Sequence, residues 1–203
     1  MKKLITICIL LVLMSTGAAN AALTTLTFDE LPTQSVDGLS YNGVTFGFDV
    51  GGNPSADATY NAIGPGTLTY LQDPTLEGTT AGILSLDFAT PTNLLQFGVA
   101  LNSYNVETGG YVVNLYDPSY ALISVLSGNT SPLIVWSEDL FTYSGALISR
   151  ATIGFNYNNQ TNGRFALDNL TINPESAVPA PGAVLLSSFG LGLVNWLRRR
   201  RTL

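Results

Sequence analysis

Between residues 22 and 173 the chain alternates apolar and polar side chains with a period of two. Leu26, Phe28 and Glu30 alternate with Thr25, Thr27 and Asp29. Val44, Phe46 and Phe48 do so with Thr45, Gly47 and Asp49, and Leu84, Leu86 and Phe88 with Ile83, Ser85 and Asp87. Leu95, Phe97, Val99 and Leu101 share one side of the next run. The beat returns at Tyr111-Val113-Leu115, at 122–126, at Ala151, Ile153, Phe155 and Tyr157, and at 165–172. Successive strand residues point to opposite faces, so this pattern predicts half-buried antiparallel strands. Gly, Pro, Asn and Asp interrupt the runs, most heavily at 51–66 and 156–163. No interior stretch keeps a 3.6-residue period. Many short strands in one domain-sized segment predict an all-β fold, an antiparallel sandwich rather than an α/β sheet.

Both ends depart from this pattern. Lys2 and Lys3 precede an apolar run at 4–14, and Ala19-Asn20-Ala21 is a small-x-small cleavage site. Residues 1–21 therefore predict a signal helix that is removed before Ala22. Cys8, the only cysteine, lies inside that segment, so the folded part must hold without disulfides. At the other end residues 174–178 form a linker into Val178-Pro179-Ala180-Pro181. An apolar run at 182–197 and the block Arg198, Arg199, Arg200 and Arg201 follow. The run predicts a C-terminal transmembrane helix, shorter than the ~20 residues of a stable span. The arginines predict a cytoplasmic end.

Charge sharpens the picture. All 14 acids fall at 29–175, against Arg150 and Arg164 alone, so the segment between the two ends carries about −12. Such a surface repels phosphate backbones, which argues against nucleic-acid binding. It also repels acidic polysaccharide unless divalent cations bridge the two. The chain has no histidine. That removes Ser-His-Asp hydrolysis and ordinary zinc sites and leaves only carboxylate chemistry of the glycosidase type.

One acid stands out. In a regular strand Asp168 shares a face with Ala166, Leu170 and Ile172, where an unpaired carboxylate costs several kcal/mol. Arg164 is four strand residues away, roughly 13 Å, and a poor partner. If the first and last strands lie side by side, Asp29 or Glu30 and Asp168 converge with backbone carbonyls on one hard cation, and calcium suits that oxygen set. The other reading is that Asp168 accepts backbone N–H groups at a bulge while Asp29 and Glu30 begin a polar loop.

Two resemblances follow from these residues. The tail, residues 178–203, resembles the PEP-CTERM sorting signal, with Ala180 where that family has its usual glutamate. The resemblance implies transient anchoring in the inner membrane of a Gram-negative bacterium, processing by exosortase, and release to the outer surface or the extracellular polysaccharide matrix. The interior resembles the jelly-roll domains found ahead of such tails, which are similar to carbohydrate-binding modules of the galactose-binding-like type. The matching stretches are Leu26-Thr27-Phe28-Asp29-Glu30-Leu31-Pro32, Tyr41-Asn42-Gly43-Val44-Thr45-Phe46, the turn at Tyr116-Asp117-Pro118, and Phe165-Ala166-Leu167-Asp168-Asn169-Leu170-Thr171-Ile172. It implies a jelly-roll sandwich at 22–173 with a structural calcium ion at Asp29 and Asp168.

Sugar recognition needs aromatic platforms and amide groups. Tyr104, Trp136 and Asn158 are the candidates, with packing in the core as the competing role for Trp136. The expected function is an exported, non-catalytic surface or matrix protein, glycan-binding with a structural calcium. The alternatives are a two-carboxylate glycoside hydrolase, with Glu107, Glu138 and Asp139 as candidate acids, and an adhesive or structural protein without a small ligand.

Overall fold

Side chains that alternate in the sequence alternate in space. The computed structural model describes residues 22–133, 135–156 and 163–174. The segments expected to be the signal helix and the sorting tail, and Asn158, lie outside the described residues. Twelve strands follow in order: β1 Thr24–Leu26, β2 Gln34–Ser35, β3 Ser40–Tyr41, β4 Val44–Val50, β5 Asn53–Pro54, β6 Thr59–Ala62, β7 Thr75–Thr79, β8 Gly82–Leu101, β9 Glu107–Tyr116, β10 Leu122–Pro132, β11 Ser137–Phe155 and β12 Arg164–Pro174. Every pairing is antiparallel. The fold is all-β, and among the described residues no helix is long and apolar enough to cross a membrane.

Two long strands build both layers. The first half of β8 lies between β4 and the second half of β11, with Phe46 opposite Leu86 and Ala151 opposite Leu86. Its second half lies between β12 and the first half of β11, with Phe97 opposite Phe141 and Val99 opposite Leu167. The β11–β8 register shifts between Ser144 and Arg150, and there both strands pass from one layer to the other. The alternation of Leu84-Leu86-Phe88 and that of Leu95-Phe97-Val99 thus belong to one strand rather than two. β9 and β10 extend the first layer; β7, β6 and β2 extend the second.

The layers meet through aromatic rings. Phe155 of the first layer stacks on Phe165 of the second, centroids 4.0 Å apart, and Phe48 packs beside Phe165 at 6.0 Å. Tyr111 reaches Phe97 and Phe141 across the other half of the core. All six of these rings are at least nine-tenths buried. Gly128 makes room for one of them, since a β-carbon there would collide with the Tyr111 ring. The apolar face read from the sequence is the face that meets in this core.

The first strand is shorter than its alternation predicts. β1 ends at Leu26, and Phe28 takes a left-handed backbone with φ 61°. Its ring still enters the core, against Tyr60 at 5.1 Å and Phe46 at 6.1 Å. The backbone turn, rather than strand geometry, points Asp29 and Glu30 outward.

Phe165→Ala removes a ring shared by both layers and is expected to cost about 3–5 kcal/mol in urea unfolding. Thr142→Ala, on an exposed position of β11, is expected to stay within about 0.5 kcal/mol.

Candidate functional site

The last strand carries a β-bulge that decides where Asp168 points. The β12–β8 register shifts between Asp168 and Thr171, and Asn169 has φ 54°. The extra residue inverts the alternation. Phe165 and Leu167 before the bulge, and Leu170 and Ile172 after it, all face the main core. Asp168 faces the opposite way, alongside Ala166, so it does not share a face with Leu170 and Ile172 as a regular strand requires. A local insertion, invisible to period-two counting, causes the difference.

Asp168 is nevertheless only 1% exposed, because a loop covers it. Residues 66–73 run across the outer face of β11, β8 and β12. Glu138 accepts the N–H groups of Thr69 and Tyr70, both at 3.0 Å, one on each carboxylate oxygen. Asp168 Oδ2 accepts the Gln72 N–H at 2.9 Å, and Oδ1 accepts the Asn169 N–H at 2.6 Å. The Asn169 amide donates to the Tyr70 carbonyl at 3.1 Å. Beneath the loop stand Gly98, Ala100 and Ala166, with Leu71 packed on the two alanines. A β-carbon at Gly98 would strike the Tyr70 carbonyl oxygen, so only glycine lets the loop lie this low.

Beside Asp168 opens a cleft of about 250 Å³ lined by Thr27, Asp29, Gln72, Asp73, Pro74, Asp168 and Asn169. The pairing that makes it is the expected one: β1 lies against β12, with Leu26 opposite Leu170. Asp29 accepts the Thr27 hydroxyl at 2.7 Å, and Asp73 accepts the Gly64 N–H at 3.1 Å, in each case through Oδ1. Glu30 does not line this cleft. Its carboxylate accepts the Tyr60 hydroxyl at 2.5 Å and the Thr27 N–H at 2.8 Å. Burial raises the Glu30 carboxyl, but the bonds from Tyr60 and Thr27 outweigh it and hold it below the usual range. Asp168 behaves oppositely. Burial pushes it up to about 6, against the lowering pull of the Gln72 and Asn169 N–H groups, and the nearby charges of Asp29 and Glu30 add to the rise. Asp73 carries no local sequence signal beyond the Asp-Pro step at 73–74.

The cleft presents oxygen donors without imidazole or thiolate, which is the chemistry of a hard cation. Among the described residues no three acids are close enough to form a cage by themselves. Oδ2 of Asp29 and of Asp73 takes no protein hydrogen bond among the described residues. A cation here would rest on those two oxygens, since both oxygens of Asp168 already accept N–H groups, and would have to complete its shell with amide oxygens and water.

Tyr104 and Trp136 sit elsewhere, where β8 ends and β11 begins. Ser137 pairs with Leu101, which sets Trp136 beside the 102–106 loop. Tyr104 is 69% exposed, and Val106, Leu133 and Val135 are exposed with it. Trp136 is half-buried against the cluster of Leu71, Ala100 and Ala166, so it neither plugs the main core nor stands free. The three acids weighed for hydrolysis are each engaged. Glu138 clamps the loop, Asp139 accepts the Tyr111 hydroxyl at 2.6 Å, and Glu107 accepts the Ser103 hydroxyl at 2.5 Å.

No protein family and no curated protein matches the chain. Among solved structures it is similar in outline to a family 29 carbohydrate-binding module, with 9% identity and a TM-score of 0.39 over 74% of this chain and 88% of that one. A family 32 carbohydrate-binding module of C. perfringens NanJ, solved with galactose, gives 11% identity and 0.40 over 69% and 99%. The enzymatically active domain of bacteriophage CBA120 tailspike protein 4 gives 13% and 0.37 over 69% and 22%. Likenesses of this size bear on neither ligand nor activity.

The raised Asp168 predicts an inverted pH response. A carboxyl whose folded pKa is about 6 and unfolded pKa about 3.9 takes up a proton on folding between those values. Its stabilising contribution is full below about pH 4 and is lost as pH rises through 6. In EDTA, lowering pH from 7 to 5 is expected to stabilise the protein by about 1 kcal/mol in urea unfolding. No histidine titrates in this window, and Asp168→Asn is expected to flatten the step.

Proposed function

We propose that the chain is an exported, non-catalytic protein of the bacterial surface or extracellular matrix. Its jelly-roll-type sandwich binds glycan at one loop end and holds a structural calcium ion at the strapped cleft. The observation that carries the glycan reading is the exposed cluster of Tyr104, Val106, Leu133 and Val135 around half-buried Trp136. On so acidic a domain, an apolar and aromatic surface bordered by the exposed amide of Asn105 suits a neutral sugar, whose ring has C–H faces and a hydroxyl rim.

Calcium would be held by Asp29, Asp73 and Asp168, and would supply positive charge where three carboxylates border one cleft. It would also allow an acidic domain to approach an acidic polysaccharide. The engagement of Glu107, Glu138 and Asp139 in hydrogen bonds within the fold supports a non-catalytic reading. Export rests on the signal segment at 1–21, and processing by exosortase on Val178, Pro179, Ala180 and Pro181 with the arginine block behind them. In this reading the inner membrane holds the chain only until the tail is cut.

Two measurements test this function. Purified exopolysaccharide of the host is expected to retain the protein, and Tyr104→Ala is expected to weaken retention roughly tenfold, about 1.4 kcal/mol. Equal retention of both proteins, or of neither, refutes the glycan face. Calcium is expected to raise the melting temperature of metal-free protein, and Asp29→Asn to abolish the rise; identical melts with and without calcium refute the cation.

A further inference from the structure

We infer that Glu138 is a positioning residue for glycan binding: it fixes the strap at 66–73, the strap seats Leu71, and Leu71 holds the Trp136 ring beside the Tyr104 loop. This deepens the proposed glycan role and rests on it.

Trp136 and Glu138 flank Ser137 where β11 begins, and both meet the strap. Glu138 accepts its N–H groups, and Trp136 packs against the small cluster beneath it. That cluster has three buried members, Leu71, Ala100 and Ala166. The alanines belong to the sheet, where Ala100 pairs with both Glu138 and Ala166. Each offers a large ring only a methyl group. Leu71, 2% exposed, is the one buried member with a full side chain to pack on. Leu68, the other apolar neighbour of the cluster, comes from the same strap.

No strand holds Leu71, since β6 ends at Ala62 and β7 begins at Thr75. Its seat is set from both sides. Glu138 Oε2 accepts the Tyr70 N–H at 3.0 Å, and Asp168 Oδ2 accepts the Gln72 N–H at 2.9 Å. Glu138 Oε1 takes the Thr69 N–H as well, so both of its oxygens are turned to the strap. At 7% exposure Glu138 is not offered to a ligand itself. Alanine in its place would leave two N–H groups without an acceptor in a covered site, and glutamine would set an NH2 group against one of them. Either change frees the strap, and with it the wall behind Trp136. A ring already fixed loses no rotamer freedom when a sugar arrives, whereas a loose one must be ordered at a cost in affinity.

The test follows two readouts in the full chain: retention by purified exopolysaccharide of the host, and the fluorescence of Trp136. All chains carry Trp196→Phe, which leaves Trp136 as the remaining tryptophan. Glu138→Ala and Leu71→Ala are each expected to weaken retention roughly fivefold and to shift Trp136 emission to the red. Glu138→Gln, which keeps one acceptor, is expected to fall between them and the parent. Ile153→Ala loosens the main core away from the strap and is expected to lower stability while keeping both parent readouts. Retention is compared where urea unfolding shows every chain folded. If Glu138→Ala does not fold, Leu71→Ala and Glu138→Gln decide the question. Retention unchanged in the strap variants overturns the inference and leaves the glycan role standing. So does a loss of retention with Trp136 emission unmoved, or an equal loss in Ile153→Ala. A parent chain that is not retained at all removes the glycan role and the inference together.

Discussion

Two carboxylates, neither of them in an ion pair among the described residues, hold the outer loop of this sandwich in place. Glu138 on β11 and Asp168 on β12 flank β8 from opposite sides, on the face away from the main core; Glu138 accepts the N–H groups of Thr69 and Tyr70, and Asp168 that of Gln72. A buried carboxylate is costly unless such donors meet it, and a loop on a sheet surface carries N–H groups that need acceptors. Each requirement answers the other. The arrangement works only because Gly98, Ala100 and Ala166 are small, so the backbone of the loop lies almost on the backbone of the sheet.

The strap organises both ends of the candidate surface. At one side Leu71 belongs to the small cluster against which Leu68 and Trp136 both pack. At the other side Gln72, Asp73 and Pro74 form one wall of the acidic cleft, and Thr27 and Asp29 form the opposite wall. A cation in the cleft and a ligand on the aromatic loops would therefore act on one segment of chain. Neutralising the charge around Asp168 would remove an electrostatic penalty that the metal-free protein bears at neutral pH.

Surface charge divides the molecule by function. Arg150 pairs with Asp87, and Arg164 with Glu77 and Asp57, so both interior cations are committed within the fold. The Tyr104 end carries exposed apolar side chains, and a neutral ligand would meet the least repulsion there.

The strands were legible because burial of one face imposes a period of two, and β4, β9 and the two halves of β8 show it plainly. The lack of histidine and cysteine in the folded part, and its acidic excess, narrowed the chemistry without any structure. The pairing of β1 with β12 was only a premise of the cation reading, and the tertiary structure supplied it. Three further things did not follow from the sequence. That β8 and β11 each run through both layers depends on bends whose residues look like ordinary turn residues. That Asp168 faces outward depends on one extra residue at Asn169, which shifts the phase of everything after it. That Glu138 is a clamp and Asp73 a wall of the cleft depends on where a loop distant in sequence comes to rest. Local alternation determines which side chains want burial; only long-range packing decides which backbone covers the polar ones left behind, because that cover comes from contacts 69 and 96 residues apart.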